Sequence, residues 1–365
     1  MKVIIAAAGT GGHINPGIAI ANEIKKHNPN ADITFIGTKR GLENDLVPRA
    51  GYKLRTIEAY GIVRKISIQN FINFCKTLKS YNVAKKIIKE INPDIIIGTG
   101  GYICGPVFTS GTKLGIPTML HESNAFPGVA VKVLSKKTDT ILVGFEDAKK
   151  RLPNAKNVVV SGTPTKVCKI NLTPEQKASL RKQLRIENNL PMVVIFGGSQ
   201  GAESINRCLV ELINKELNKK YHIVWAVGQK NYEDVKSKIK KEYNATIVPY
   251  IYNMEEVLNL ADLVVARSGA MTITEVAKCG KPAIFVPFPY ATENHQEYNA
   301  RVLANVDAAK IILDKNLNVS NLNDTINDII NDKEKLKQMG ENAEKIAIKN
   351  VEEKIYNEIK KLIRM

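Results

Sequence analysis

"AAAGTGGHINPG", residues 6–17, is the stretch whose reading decides the fold of this chain. The apolar run "KVIIAAA" at 2–8 leads into it, and "PGIAIANEIKKH" leads out with helical spacing. The glycines therefore mark a strand-to-helix turn of an α/β protein, where phosphate loops lie. A histidine, His13, stands in that turn, and "GTGG" returns at 98–101. The turn is thus a candidate for holding a phosphate, a reacting hydroxyl, or both.

Outward from this turn the pattern repeats. Strands are expected at 2–8, 32–37 ("DITFIG"), 94–99 ("DIIIGT"), 117–121 ("PTMLH"), 140–144 ("TILVG") and 157–162 ("NVVVSG"). Continuous β-branched runs separated by helical segments predict parallel strands with crossover helices. "TPTKVCKINLTPEQKASL" interrupts the pattern, and Thr173, Pro174 and Gln176 then read as a helix start with a capping box. A second series follows at 192–198, 222–228, 246–249, 262–266, 283–287 and 309–313. The expected architecture is α/β, with two doubly wound Rossmann-like domains facing each other across a cleft. Residues 1–165 form the first domain and 166–347 the second, and a helix at about 348–365 packs back on the first.

Composition narrows the class. The chain has 365 residues, 44% hydrophobic and 24% charged, as in ordinary globular proteins. No run approaches the roughly 18 apolar residues of a membrane span. Five scattered cysteines without a CxxC pair suggest neither a disulfide framework nor a zinc site, and fit a reducing cytoplasm. The net charge of +17 points to an anionic partner. Residues 61–90 carry seven basic residues and one acidic one.

Four glycine-rich turns follow strands: "GTGGH" (9–13), "GTGGYICGP" (98–106), "GGSQGA" (197–202) and "RSGAMT" (267–272). Two per domain favour a shared ligand site. The dinucleotide fingerprint does not fit. "GTGGHI" lacks the third glycine, and Asp32 opens the second strand instead of ending it. At "SGAMT" the amides of Ala270, Met271 and Thr272 lie at a helix start and suit a diphosphate. Glu275, further along that helix, could accept both hydroxyls of a ribose.

"GTGGHINP", "GTGGYICGP", "HESNAFPG", "GGSQGA", "RSGAMTITE" and "ENHQEYNA" occur in this order along the whole chain. Together they resemble the MurG family of UDP-N-acetylglucosamine:lipid I N-acetylglucosaminyltransferases, inverting GT-B enzymes of glycosyltransferase family 28 in bacterial cell-wall synthesis. The resemblance implies that the second domain binds UDP-GlcNAc. Ser199 would contact a phosphate, Ala270 to Thr272 the rest of the diphosphate, Glu275 the ribose and the Ile251 backbone the uracil. His295, Gln296 and Asn124 would meet the sugar hydroxyls. The resemblance makes His13 the candidate general base; the alternative is that it only binds the acceptor pyrophosphate or caps its helix. Thr10, Gly11, Gly12, Gly100, Gly101 and Tyr102 would form the acceptor pyrophosphate loops. The family's Asn-Pro-Val-Arg segment is "GTPTK" here, so Lys166 supplies charge without a planar fork. No D-x-D motif marks a metal, and neither metal nor cofactor is expected, UDP-GlcNAc being a substrate.

Segment 66–91 is helical in period, with Ile68, Ile72, Val83 and Ile87 as its expected core stripe. A second stripe, Phe71, Phe74, Leu78 and Tyr81, is ringed by Lys76, Lys79, Lys85 and Lys86. Such a helix suits insertion at an anionic membrane surface. The expected function is GlcNAc transfer to the MurNAc 4-OH of undecaprenyl-pyrophosphoryl-MurNAc-pentapeptide (lipid I), giving lipid II at the cytoplasmic membrane face. Anionic lipids and other cell-wall synthesis proteins are the expected partners, and nucleic acid is not. The rivals are a glycolipid synthase acting on diacylglycerol and a UDP-GlcNAc 2-epimerase.

Overall fold

The structure is a computed structural model that describes residues 1–60, 68–186, 189–198 and 200–364, with backbone alone at 68–78. It contains two compact units, Met1–Thr165 with Ile348–Met365, and Lys166–Ala347.

The first unit is built on seven parallel strands: β1 Lys2–Ala6, β2 Asp32–Gly37, β3 Lys53–Thr56, β4 Ile95–Gly98, β5 Thr118–Glu122, β6 Thr140–Val143 and β7 Val158–Val160. Their spatial order is β3-β2-β1-β4-β5-β6-β7. The order reverses direction between β1 and β4, which are direct neighbours with Ile5 opposite Ile97. Such a reversal opens a crevice at the carboxyl ends of the two strands. The turns after β1 and β4 are the two "GTGG" segments. β4, β5 and β6 are buried at every position, which is why they read as unbroken apolar runs.

Helices cover both faces of this sheet. One face carries Ile68–Ile91, Cys104–Lys113 and Val129–Leu134, with Ala84, Ile87, Ile88, Val107, Phe108 and Val131 in its core. The other carries Gly11–His27 and Val351–Ile363. Those two helices meet where His27 stacks on Tyr356, with ring centroids 4.2 Å apart, above the buried Ile355 and Ile359.

The second unit has six parallel strands: β8 Met192–Phe196, β9 His222–Ala226, β10 Ala245–Val248, β11 Leu263–Ala266, β12 Ala283–Phe285 and β13 Ala309–Ile311. The order β10-β9-β8-β11-β12-β13 places its switch between β8 and β11, again the two strands followed by glycine-rich turns. Trp225 and Tyr221 are fully buried in its core. The helix Pro174–Gln183 begins with the capping box expected at Thr173 and Gln176.

Two expectations need correction. Residues 53–56 form an additional strand, β3, that among the described residues pairs only with β2, at the sheet edge. Val83 is not in the core stripe of Ile68–Ile91 but 47% exposed. The buried side instead runs through Ser80, Ala84, Ile87 and Ile88. Small residues at 80 and 84 let this helix approach Cys104–Lys113, where the Ser110 hydroxyl donates to the Tyr81 carbonyl at 3.0 Å. The side chains of Ile68, Ile72, Phe71, Phe74, Lys76 and Leu78 lie outside the described residues. Lys79 and Lys86 are exposed, Lys85 is half-buried, and Lys113 Nζ sits 5.1 Å from the Tyr81 ring centroid. Among the described residues, no helix is long and apolar enough to cross a membrane.

Candidate active site

In the first unit the two "GTGG" turns close on His13. Its Nδ1 lies 2.9 Å from the carbonyl oxygen of Thr99. A carbonyl can only accept, so Nδ1 carries the proton in this bond, and Nε2 is the ring nitrogen left to accept one. Gly100 (φ +98°) and Gly101 (φ +81°) lie along the imidazole. A Cβ at Gly100 would stand 2.8 Å from His13 Nδ1, so the glycine is required by space as well as by conformation.

The helix Gly11–His27 starts behind Thr10 (φ −112°, ψ 159°), whose side chain makes no cap, and has no acidic residue in its first turn. The His13 N–H reaches Thr10 O at 3.0 Å. Among the described residues the N–H groups of Gly11 and Gly12 have no acceptor. Unpaired amides at a positive helix end suit an anion. Thr10 and Gly12 are exposed, while Tyr102 packs half-buried on the core.

The "HESN" segment backs this turn. His121 is buried, with Nε2 bonded to Gly162 O at 2.9 Å, and burial holds its pKa below the ordinary histidine value. Glu122 accepts from the Asn124 N–H and side-chain amide, both at 2.9 Å, and from the Gly128 N–H at 2.8 Å. Asn124 is therefore fixed by its neighbour. The Cys104 thiol donates to Gly100 O at 3.2 Å, and burial pushes its pKa up to about 12. It supports the loop as a neutral donor.

In the second unit the helix Ala270–Lys278 follows Gly269 (φ −62°, ψ 149°), again without a side-chain cap or an early acidic residue. Ile273 N–H closes the first helical bond to Gly269 O at 3.0 Å. The amides of Ala270, Met271 and Thr272 have no acceptor among the described residues. Glu275 is half-buried one turn further on, in register with Met271 and Thr272. The Ile251 side chain is buried, and no hydrogen bond joins its main-chain N–H or C=O to another described residue. Ser199 lies outside the described residues. The neighbouring Gln200 O accepts from Asn231 Nδ2 at 2.9 Å.

His295 and Gln296 open the helix His295–Ala304, directly after Glu293 and Asn294, both left-handed (φ 53° and 54°). His295 Nδ1 bonds to Thr292 O at 2.8 Å, and Gln296 Oε1 accepts from the Phe288 N–H at 2.9 Å. Ser268 donates to Gln296 O at 2.8 Å, tying this turn to the Ala270 helix start. Lys166, by contrast, is exposed and is the first residue of the second unit.

Sequence reasoning assigned nothing to Arg267. Its guanidinium is almost wholly buried and donates to Val286 O (3.0 Å), Pro287 O (3.1 Å), Asp314 Oδ1 (2.6 Å) and Ser204 Oγ (2.9 Å). It thereby joins the segments that follow β8, β11, β12 and β13. Its place within "RSGAMT" was the available signal; its partners, Asp314 and Ser204, lie far off in sequence.

Residues 3–143 match the glycosyltransferase family 28 N-terminal domain, and residues 192–355 match the C-terminal domain of the same family. The chain belongs to glycosyltransferase family 28. Among family members, it is 43% identical to the UDP-N-acetylglucosamine–N-acetylmuramyl-(pentapeptide) pyrophosphoryl-undecaprenol N-acetylglucosamine transferase of Acetivibrio thermocellus, covering 100% of this chain and 99% of that one. It is also 43% identical to the transferase of the same name from Ruminiclostridium cellulolyticum, covering 100% of both. The crystal structure of Acinetobacter baumannii MurG superposes with a TM-score of 0.79 at 29% identity, covering 99% of each chain. The chain is thus a GT-B enzyme of family 28, and its four glycine turns follow the strands at its two switch points.

Proposed function

We propose that this family 28 enzyme transfers GlcNAc from UDP-GlcNAc to the MurNAc 4-OH of undecaprenyl-pyrophosphoryl-MurNAc-pentapeptide, converting lipid I to lipid II. The observation that carries the reading is the 43% identity, over all of the chain, to transferases bearing that activity in their names. His13 is the general base of the reading. With Nδ1–H spent on Thr99 O, Nε2 takes the proton of the acceptor hydroxyl as its oxygen attacks C1 of the sugar. Attack from the face opposite UDP inverts C1 through an oxocarbenium-like state. The amides of Gly11 and Gly12, with the loop of Gly100, Gly101 and Tyr102, take the acceptor pyrophosphate.

On the donor side, the amides of Ala270, Met271 and Thr272 offset the charge that grows on departing UDP, a stabilisation fixed before reaction. Ser199 joins them, Glu275 takes the ribose and the Ile251 main chain reads the uracil edge. His295, Gln296 and Asn124 meet the sugar, and Lys166 adds charge nearby. With the amides in that role, the reaction needs no metal and no cofactor.

The lipid-linked acceptor puts the enzyme on the cytoplasmic face of the membrane. Exposed Lys79 and Lys86 support this, as do two apolar side chains on Val129–Leu134 (Val129 at 43% and Val133 at 70% exposure) beside Lys132, Lys136 and Lys137. Anionic lipids and other cell-wall synthesis proteins are partners in this reading.

Labelled GlcNAc transfer from UDP-GlcNAc to a short-chain lipid I analogue tests it, with diacylglycerol, no-acceptor and chelator arms. Label in a disaccharide only with lipid I, undiminished by chelator, is the expected result. Transfer to diacylglycerol alone would overturn the acceptor assignment, and ManNAc released without acceptor would make the enzyme an epimerase.

A further inference from the structure

The turn that carries His13 is held by a carboxylate from another segment. Glu43 Oε2 accepts from the Gly9 N–H at 2.9 Å. Its other oxygen accepts from the Thr38 N–H at 2.8 Å and the Thr38 hydroxyl at 2.7 Å. The Leu42 N–H in turn reaches Gly9 O at 3.4 Å, so both polar groups of the Gly9 peptide are held by residues 42 and 43. Gly9 is left-handed (φ +97°) and stands four residues before His13.

Glu43 has no exposed surface. Two glycines make its room. A Cβ on Gly37 would come within 2.6 Å of Glu43 Cγ, and one on Gly41 would overlap the carboxylate itself. Burial alone would raise the pKa. The bonds from Gly9, from the hydroxyl and N–H of Thr38, and from its own amide outweigh it and hold Glu43 below the ordinary carboxylate value. An ionised carboxylate so enclosed is costly unless each oxygen is satisfied. Here the satisfying donors come from the turns that follow β1 and β2, two neighbouring strands of the sheet.

We propose that Glu43 is a positioning residue for the transfer: it fixes the Gly9 peptide and so the aim of His13 and of the open Gly11 and Gly12 amides. The inference rests on the reading of His13 as the base. Glu43 touches no substrate; it acts through the turn.

Glu43→Gln keeps the volume but sets an NH2 group against a main-chain N–H at whichever oxygen it replaces. The test is steady-state transfer to a short-chain lipid I analogue, below the melting temperature of each variant. Glu43→Gln is expected to lose about tenfold or more in kcat, with the KM for UDP-GlcNAc nearly unchanged, since a misplaced catalytic group costs turnover. In a His13→Ala background the same change is expected to cost almost nothing in kcat, because there both act through one group, while any rise in acceptor KM that comes from the Gly11 and Gly12 amides persists. A folded Glu43→Gln enzyme with wild-type kcat and acceptor KM would overturn the proposal, as would a loss that multiplies fully on His13→Ala. If Glu43→Gln does not fold, Thr38→Val removes one bond to the same carboxylate. A smaller fall in kcat, absent on His13→Ala, would then support the proposal, and an unchanged kcat would overturn it. Wild-type turnover by His13→Ala would refute the base reading alone; Glu43 would then be judged by whether Glu43→Gln raises the acceptor KM.

Discussion

His13 Nδ1 and the Thr99 carbonyl oxygen, 86 residues apart in sequence, are joined at 2.9 Å across the switch between β1 and β4. One "GTGG" turn thus supplies the imidazole, and the other fixes its tautomer and its plane. If His13 is the base, as proposed, removing the ring removes the proton acceptor and leaves the residues of the second unit in place. His13→Ala is expected to lower kcat by about 10²- to 10⁴-fold, the usual contribution of a positioned base. UDP binding, measured by calorimetry, is expected to stay within twofold of wild type, about the scatter for an untouched site. A variant that turns over normally would exclude the base role.

Arg267 gives a prediction for the second unit. Arg267→Ala would leave Asp314 facing a cavity and release Ser204 and the carbonyls of Val286 and Pro287. Breaking a buried pair from one side costs about 3–5 kcal/mol. Urea unfolding is expected to show a loss of that order, together with a higher KM for UDP-GlcNAc. Arg267→Lys keeps the charge but not the fork, and is expected to fall between. A lysine variant matching wild type in both measurements would reduce the site to a simple charge.

Most strands were legible because they are buried on both faces and so spell continuous β-branched runs; the half-buried β7 was legible from its valine run alone. β3 was not, because "KLRT" alternates exposed and half-buried residues and pairs on one side only. The stripe on Ile68–Ile91 was misphased at Val83 because Ser80 and Ala84, small residues without an apolar signal, make the close approach. The glycine turns were legible because close backbone approach demands glycine locally. Asp314 and Glu43 were not, because each completes a turn 47 or 34 residues away, and spacing along the chain carries no trace of that pairing.

Stability should also depend on His222. It is buried in β9, with Nε2 bonded to the Thr246 hydroxyl oxygen at 3.0 Å, and burial, aided by the Arg181 charge, takes its pKa from 6.5 down to about 4. Above pH 6.5 the ring is neutral in both folded and unfolded chains, and its contribution is fully present. Between pH 6.5 and 4 only the unfolded chain binds the proton, so stability falls as pH falls. Below that range both forms are charged and the contribution is flat. The loss is about 2 kcal/mol once solvent screening is allowed for. His222→Gln, which keeps a donor for Thr246, is expected to flatten this limb in thermal melts at pH 4 to 7. Parallel pH profiles for the two proteins would rule the linkage out.

The proposed membrane contact can be tested apart from catalysis at Val133. The side chain is 70% exposed on a helix whose other face, Val131 and Leu134, is buried in the core, so a polar replacement there leaves the packing intact. Lys132 is half-buried, with Nζ 3.8 Å from the Phe126 ring centroid, whereas Lys136 and Lys137 are exposed. Val133→Asp removes an apolar contact and sets a negative charge against an anionic surface. Each lysine near such a surface contributes about 1 kcal/mol, so Lys136→Glu with Lys137→Glu should weaken binding more than tenfold. Sedimentation with vesicles containing anionic lipid is expected to show weaker binding by both variants. Vesicles of neutral lipid should show little difference for the lysine variant, and turnover on a water-soluble acceptor should be unchanged for both. Undiminished binding of both variants to anionic vesicles would exclude this face and leave Ile68–Ile91 as the contact to test.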